Sequence, residues 1–415
     1  MDRYTQLGPA SIPGMWSLVL GIAYLVCGGC SEGSGAPSTL RLVNLLYRHG
    51  DRSPYATYPS NPNNYRKNVW PNGLGWLTTI GMEQEYSLGR FLRRRYSGFL
   101  SDEYLHTEII VESSDVNRCL MSAYSTLAGL YPPSGDQVWN SNIPWQPIPV
   151  HTRPRSEDNM LGMGKHCQRY NDLQTSIYKS TRAMQEAREN KDLYTFLTRV
   201  TGYVPFRLQN APVVADNLLC EKLHNVSWAP WVNETMFQTL RELEALSLDL
   251  KYSDSGVARL KGGVLLKKWI EETQQRVRSS YYTTKMNMFS AHDSTVLAVL
   301  GALRALNHLP PPYSSAVLME LHETRASVFH VELYYRNVSS TDPNDDTPPH
   351  QLTIPGCTFK CPLTKFVSLT KDRVPTDWDA ECAASNTGTI IGRREDQDAD
   401  SPDALDPHSD DIDSI

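Results

Sequence analysis

Apolar residues cluster in short runs that end abruptly in polar turns. Leu40 to Tyr47 is mostly apolar, long enough for one buried strand and too short for a core helix. It stops at Arg48-His49-Gly50-Asp51-Arg52-Ser53-Pro54. Thr107 to Glu112 repeats the pattern, and Ser113 to Arg118 then leads into a predicted helix ending near Leu130. Met286 to Ser290 repeats it again before Ala291-His292-Asp293-Ser294. Beyond that turn Val296, Leu300 and Leu303 recur at helical spacing, with Asp293 or Ser294 as the expected N-cap. Strand, polar junction, helix is the signature of an α/β sheet, and in an open sheet such junctions share one edge.

The stretch 155–280 has a different rhythm. Gln168–Asn190, Val213–His224 and Met236–Leu250 carry helical patterns with few strand signals between them. Ala316–Leu321 and Ser327–Arg336 alternate apolar and polar residues and predict an antiparallel hairpin at the sheet edge. The expected organisation is therefore a targeting segment (1–30), a Gly/Ser-rich linker (31–38), an α/β domain from 39–154 and 281–385, a mainly helical insert (155–280) and an acidic, disordered tail (386–415).

Composition refines this picture at the ends. The chain has 415 residues, 40% hydrophobic and 21% charged, as expected of a soluble globular protein. Its net charge of −6 is concentrated from Arg393 to Ile415, where nine acidic and two basic residues leave a nearly neutral body. Nothing there suggests a nucleic-acid surface. Met15 to Cys27 is apolar apart from Ser17. That is about 13 residues against the roughly 20 needed to cross a bilayer. It reads as a secretory h-region, with an uncleaved anchor or a core segment as alternatives. No second membrane span is expected.

Of eight cysteines, six lie beyond this segment: Cys119, Cys167, Cys220, Cys357, Cys361 and Cys382. An even number in an exported chain suggests disulfides, with buried thiols the alternative. Asn225, Asn233 and Asn337 open Asn-x-Ser/Thr sites and are candidate glycan acceptors. A zinc protein is not expected. The histidines show no ligand spacing, and the one Cys-x-x-Cys lies in the targeting segment.

The junctions carry the chemistry. Arg48 and Arg52 flank His49, and Arg118 opens the helix at the second junction. Guanidinium forks match phosphate oxygens. A neutral imidazole can attack phosphorus at mildly acidic pH. His292 and Asp293 add an imidazole and a carboxyl at the third junction. Gly50 is expected to leave room for a ligand to approach the backbone. Together these supply a nucleophile, charge stabilisation and a leaving-group acid without any metal or cofactor.

Tyr47 to Pro54, with Ser290-Ala291-His292-Asp293 far downstream, resembles the histidine acid phosphatase family, more narrowly its animal lysosomal and prostatic members. Supporting stretches are Asn117–Ala123, Trp145–His151, Ser255–Leu260, Leu309–Tyr313 and Pro355–Pro362. The resemblance implies a phosphoglycerate-mutase-like sheet with helices on both faces. It implies His49 as nucleophile, Asp293 as proton donor, and Arg48, Arg52, Arg118 and His292 as phosphate ligands. It also implies small phosphate monoesters as substrates, with phosphoproteins or lipid phosphates as larger ones. Resistance to EDTA, inhibition by tartrate, homodimers, and a secreted or lysosomal location free of the membrane after signal cleavage are further expectations.

Disulfides Cys357–Cys361 and Cys167–Cys382 follow from the same resemblance. Cys119 and Cys220 are then left over, and are expected to pair with each other. The sequence departs from the family where Asp115-Val116-Asn117-Arg118 replaces the usual Asp-x-Asp-Arg, and where Ala316 stands at a cysteine position. A phytase or lysophosphatidic-acid phosphatase is the alternative within the family. A binding protein on a catalytically dead scaffold is the alternative outside it.

Overall fold

The apolar runs become the centre of a seven-stranded sheet in the computed structural model, which describes residues 36–64, 69–279, 281–325 and 327–383. The targeting segment, most of the linker and the acidic tail lie outside the described residues, as do Cys27 and Cys30. The strands are β1 (Leu40–Arg48), β2 (Ile109–Ser113), β3 (Met286–Ala291), β4 (Ala316–Glu323), β5 (Phe329–Arg336), β6 (His350–Leu352) and β7 (Cys361–Pro362). They run in the order β2-β3-β1-β4-β5-β6, with β7 also paired to β5. β2, β3 and β1 are parallel, and β4 to β7 are added antiparallel. The β4–β5 hairpin forms as expected but does not lie at the edge, because β6 and β7 cover β5.

Helices α1 (Thr79–Arg95) and α2 (Asn117–Leu130) cover one face of the sheet. Val43, Leu45 and Tyr47 of β1 point there, among Leu88, Ala123 and Leu127. Leu46 points to the other face, against Leu265, Trp269, Val296 and Leu300. Burial on both faces explains why β1 reads as a continuous apolar run rather than an alternating one.

Between β2 and β3 the chain forms α3 (Gln168–Tyr178), α4 (Thr181–Glu189), α5 (Lys191–Thr201), α6 (Ala211–Leu223) and α7 (Glu234–Ser253). The short α8 (Ser255–Val257) then passes through a π-helical turn at Ala258–Gly262 into α9 (Gly263–Arg278). The single helix expected over Gln168–Asn190 is two. Ser180 breaks it, because its side chain accepts the Ala183 N–H and caps α4. Leu197, Phe206, Val214, Leu218, Phe237 and Leu240 give this helical stretch a core of its own. The chain closes with α10 (Asp293–Ala302), α11 (Leu363–Thr370) and α12 (Trp378–Ala383).

Two disulfides form as expected, Cys167–Cys382 and Cys357–Cys361. The expected Cys119–Cys220 bond does not, and both residues remain buried thiols. Asn225, Asn233 and Asn337 are all exposed.

Gly50 has a role other than the one expected. What approaches its backbone is the start of α1: a Cβ on Gly50 would stand 2.3 Å from the Gly81 carbonyl oxygen. A Cβ on Gly81 would stand 2.2 Å from the Asp51 carbonyl oxygen. Neither neighbour can swing aside, since both are main chain. Gly81→Ala is therefore expected to cost about 3 kcal/mol or more, at the upper end for overpacking. Thermal denaturation measures this, and a midpoint unchanged from wild type would reject the contact.

Candidate active site

The sheet register brings the polar junctions together. Tyr47 pairs with Ser290, and Ser290 pairs with Ser113. Arg48 to Arg52, Ser114 to Arg118 and His292-Asp293 therefore leave the sheet side by side. His292, not Asp293 or Ser294, is the N-cap of α10, and Asp293 is its first helical residue. The Ser294 N–H of that first turn donates to Asp293 Oδ1 at 2.6 Å, fixing the carboxyl at the helix start.

His49 is buried, and its Nδ1 lies 2.9 Å from the Gly50 carbonyl oxygen. A carbonyl only accepts, so Nδ1 carries the proton and Nε2 keeps its lone pair when the ring is neutral. Burial first, then the charges of Arg118, Arg48, Arg52 and His292, hold its pKa well below the usual histidine range. The His49 ring meets that of His292 edge-on, with centroids 5.6 Å apart.

The arginines are each held by a separate device. Arg48 donates to the Pro311 carbonyl at 2.5 Å, pairs with Asp293 at 2.8 Å and stacks on Tyr313 at 4.2 Å. Arg52 makes a bidentate pair with Asp216 at 2.9 and 3.0 Å. Burial opposes its charge, but Asp216 more than offsets this and raises its pKa. Arg118 donates to His292 Nδ1 at 3.3 Å, and Ser114 Oγ lies 2.9 Å from His292 Nε2. Because Nδ1 accepts from arginine, Nε2 carries the His292 proton and donates it to Ser114.

Asp293 sits at the mouth, its side chain 37% exposed. Burial would raise its pKa, but Arg48, Arg52 and His292, with the Ser294 N–H, outweigh that and hold it at about 2. Nearby Glu244 differs. Burial and the carboxylates of Asp216 and Asp293 prevail over Arg241 and Arg48, pushing it up to about 7.

The two unbridged thiols belong to the walls of this pocket. Cys119 Sγ lies 3.6 Å from His292 Nε2, whereas Cys220 Sγ lies 3.6 Å from the Tyr313 hydroxyl and 3.8 Å from Arg52. Each is packed against a different neighbour of the His49 ring, which is why the expected bond does not form. Burial pushes the Cys220 thiol pKa well up, so it stays protonated.

All six residues singled out for phosphate chemistry thus meet in one place. Sequence reasoning missed Asp216, Glu244 and Ser114. Asp216 left a signal: with Asn217 it interrupts the apolar run Val213-Val214-Ala215 and Leu218-Leu219, on a helix whose faces are nearly all buried.

The chain belongs to the histidine phosphatase superfamily, branch 2, whose sequence profile matches residues 39–336. It is 40% identical over 360 residues to prostatic acid phosphatase of Bos taurus, covering 86% of this chain and 90% of that protein. It is 41% identical over 349 residues to human lysosomal acid phosphatase, covering 83% and 80% respectively. Among solved structures, the phytase from Citrobacter braakii superposes with a TM-score of 0.64 at 18% identity, over 84% of this chain and all of that one. The phytase likeness shows the fold alone. No helix among the described residues is long and apolar enough to cross a membrane.

Proposed function

We propose that this chain is an acid phosphatase that hydrolyses small phosphate monoesters through a phosphohistidine at His49. The observation that carries the reading is the His49 ring: Nδ1 is fixed by the Gly50 carbonyl, and Nε2 is left nucleophilic among three guanidinium groups. In the first step Nε2 attacks phosphorus and the P–O bond to the leaving group breaks. Positive charge develops on the imidazole, and the Nδ1–H bond to Gly50 strengthens with it. Arg48, Arg52, Arg118 and, once its Nδ1 is protonated, His292 hold the phosphoryl oxygens, where charge is spread in the transition state. Asp293 protonates the departing oxygen. In the second step its carboxylate takes a proton from water, the water oxygen bonds to phosphorus, and the P–N bond breaks.

Tyr55 lies over the Arg52 guanidinium at 5.1 Å, which gives one flank of the site an aromatic face. That favours ordinary monoesters, with phosphoproteins and lipid phosphates as larger candidates, over a polyphosphorylated inositol. The two disulfides and the exposed Asn-x-Ser/Thr sites support a secretory-pathway location, secreted or lysosomal, with glycans at Asn225, Asn233 and Asn337.

The direct test is hydrolysis of an aryl phosphate over about pH 4–8, which brackets the ordinary carboxylate and histidine ranges, with and without EDTA and tartrate. Turnover on the acid side, unaffected by EDTA, is expected, and absence of turnover across the range would overturn the reading. Arg118→Ala is expected to lower kcat/KM by about 10²–10³-fold, by analogy with loss of an oxyanion donor. A loss of only a few-fold would return Arg118 to a structural role.

A further inference from the structure

A second cluster of chemistry-bearing side chains lies at the far end of the same sheet. In the antiparallel β4–β5 pair, Glu320 faces Glu332 and His322 faces His330. Positions 320, 322, 330 and 332 alternate along their strands, so all four side chains rise from one face. Two carboxylates directly opposite one another repel unless a cation lies between or beside them. Arg95 answers one of them, bonding Glu320 Oε1 at 2.8 Å, and Tyr96 donates to that same oxygen at 2.8 Å. Lys360 stands 3.8 Å from Glu332 Oε1, but its side chain is 70% exposed.

The geometry points to a divalent cation site formed by His322, His330, Glu332 and Glu320, of the borderline kind that zinc fills. The nitrogen and oxygen donors of His322, His330 and Glu332 all lie within 4.8 Å of one another. His330 Nε2 is 3.1 Å from Glu332 Oε1, and His322 Nε2 is 3.2 Å from Glu320 Oε2 and 3.8 Å from Glu332 Oε2. Zinc bonds of about 2.0–2.2 Å place tetrahedral ligands about 3.4 Å apart, in the middle of that range. Two imidazoles with carboxylates suit zinc better than calcium or magnesium, which prefer all-oxygen sites.

The surroundings match an outer shell. Thr39 Oγ1 lies 3.0 Å from His322 Nδ1, Tyr334 donates to Glu332 Oε2 at 2.6 Å, and Arg95 and Tyr96 fix Glu320 by its other oxygen. Such contacts orient ligands, and a bound cation would displace the protons that His322 Nε2 and His330 Nε2 donate to the Glu320 and Glu332 carboxylates. His322 and Glu320 are buried, whereas His330 is only partly so and gives the entry side.

The site is separate from the phosphate chemistry. Tyr47, beside the catalytic junction, pairs with Ala316, whereas Leu40 at the other end of β1 pairs with His322. Six residues of strand put the two about 20 Å apart. The cation would pin the β4–β5 hairpin, leaving phosphate-ester cleavage metal-free. No linear spacing announced it, because His322 and His330 meet only through strand pairing.

The full chain, expressed through the secretory pathway and stripped with EDTA, should be titrated with zinc by calorimetry. Bound metal should be counted after gel filtration, and melting temperature followed. One zinc per chain, a melting point raised by a few degrees at saturation, and the visible absorption of tetrahedral cobalt on Co²⁺ substitution are expected. H330Q, at the partly exposed position, should weaken zinc at least about 100-fold, since even outer-shell losses cost 10–100-fold. Its aryl phosphatase activity should match wild type, which shows that it folds. H350Q, at an exposed histidine elsewhere, should bind as wild type does. Absence of stoichiometric binding by wild type, or H330Q binding zinc as tightly as wild type, overturns the proposal. These readouts stand whether or not the phosphatase reading does.

Discussion

His49→Ala is expected to abolish turnover, by on the order of 10⁴-fold or more, while the protein still folds. The magnitude follows from losing the nucleophile itself, whose removal leaves only binding and charge stabilisation. Neighbouring arginines cannot substitute, because a guanidinium has no lone pair to offer. Burial and four positive or potentially positive neighbours already press His49 towards neutrality, so its Nε2 is available well into the acid range. Phosphate trapped on His49 after acid-to-base quench should appear in wild type and vanish in the mutant. Full activity in the mutant would remove His49 from the mechanism.

Asp293→Asn is expected to harm substrates unequally. Alkyl phosphates, whose leaving oxygen needs a proton, should lose about 10²–10⁴-fold. Aryl phosphates with acidic leaving groups should lose much less. The pH dependence has a further twist. With its pKa held at about 2, Asp293 is ionised in the empty site throughout the working range. A phosphate monoester with a second pKa near about 6 supplies the missing proton: monoanion meeting carboxylate has the same proton count as dianion meeting carboxylic acid. A bound dianion disfavours the carboxylate and raises its pKa, drawing that proton onto Asp293. The value of kcat/KM for alkyl esters should therefore fall as pH rises through the substrate's own second ionisation. Equal losses for alkyl and aryl substrates in Asp293→Asn would make the residue a positioning group rather than a donor.

The strands and junctions that build the site were legible because each is a local event. An apolar run buried on both faces must stop where the chain meets the pocket, and Arg48, Ser114 and His292 mark those stops. α1 was not anticipated, since Thr79–Arg95 carries many polar side chains and Ile80, Met82 and Tyr86 face outwards. β6 and β7 have three and two residues, too few for any periodicity to register. Asp216 and Glu244 escaped because their importance depends on which helix faces the pocket, a tertiary fact. The thiols misled for the same reason. Counting cysteines suggested a third bond, whereas packing sends Cys119 to His292 and Cys220 to Tyr313.

The sheet order also has a consequence for biosynthesis. β1 is the first described strand made, yet both its neighbours come late: Val43 pairs with Met286 on one side and Glu320 on the other. Translation at about 5–20 residues per second leaves this greasy segment without a strand partner for roughly 10–50 s. During that interval the growing chain offers a ready template for aggregation, and the helices α3 to α9 are all made before β1 gains a strand partner. The nascent polypeptide should accordingly be a client of holding chaperones until about 290 residues have been synthesised, and catalytic competence should appear only after β3 slides in beside β1.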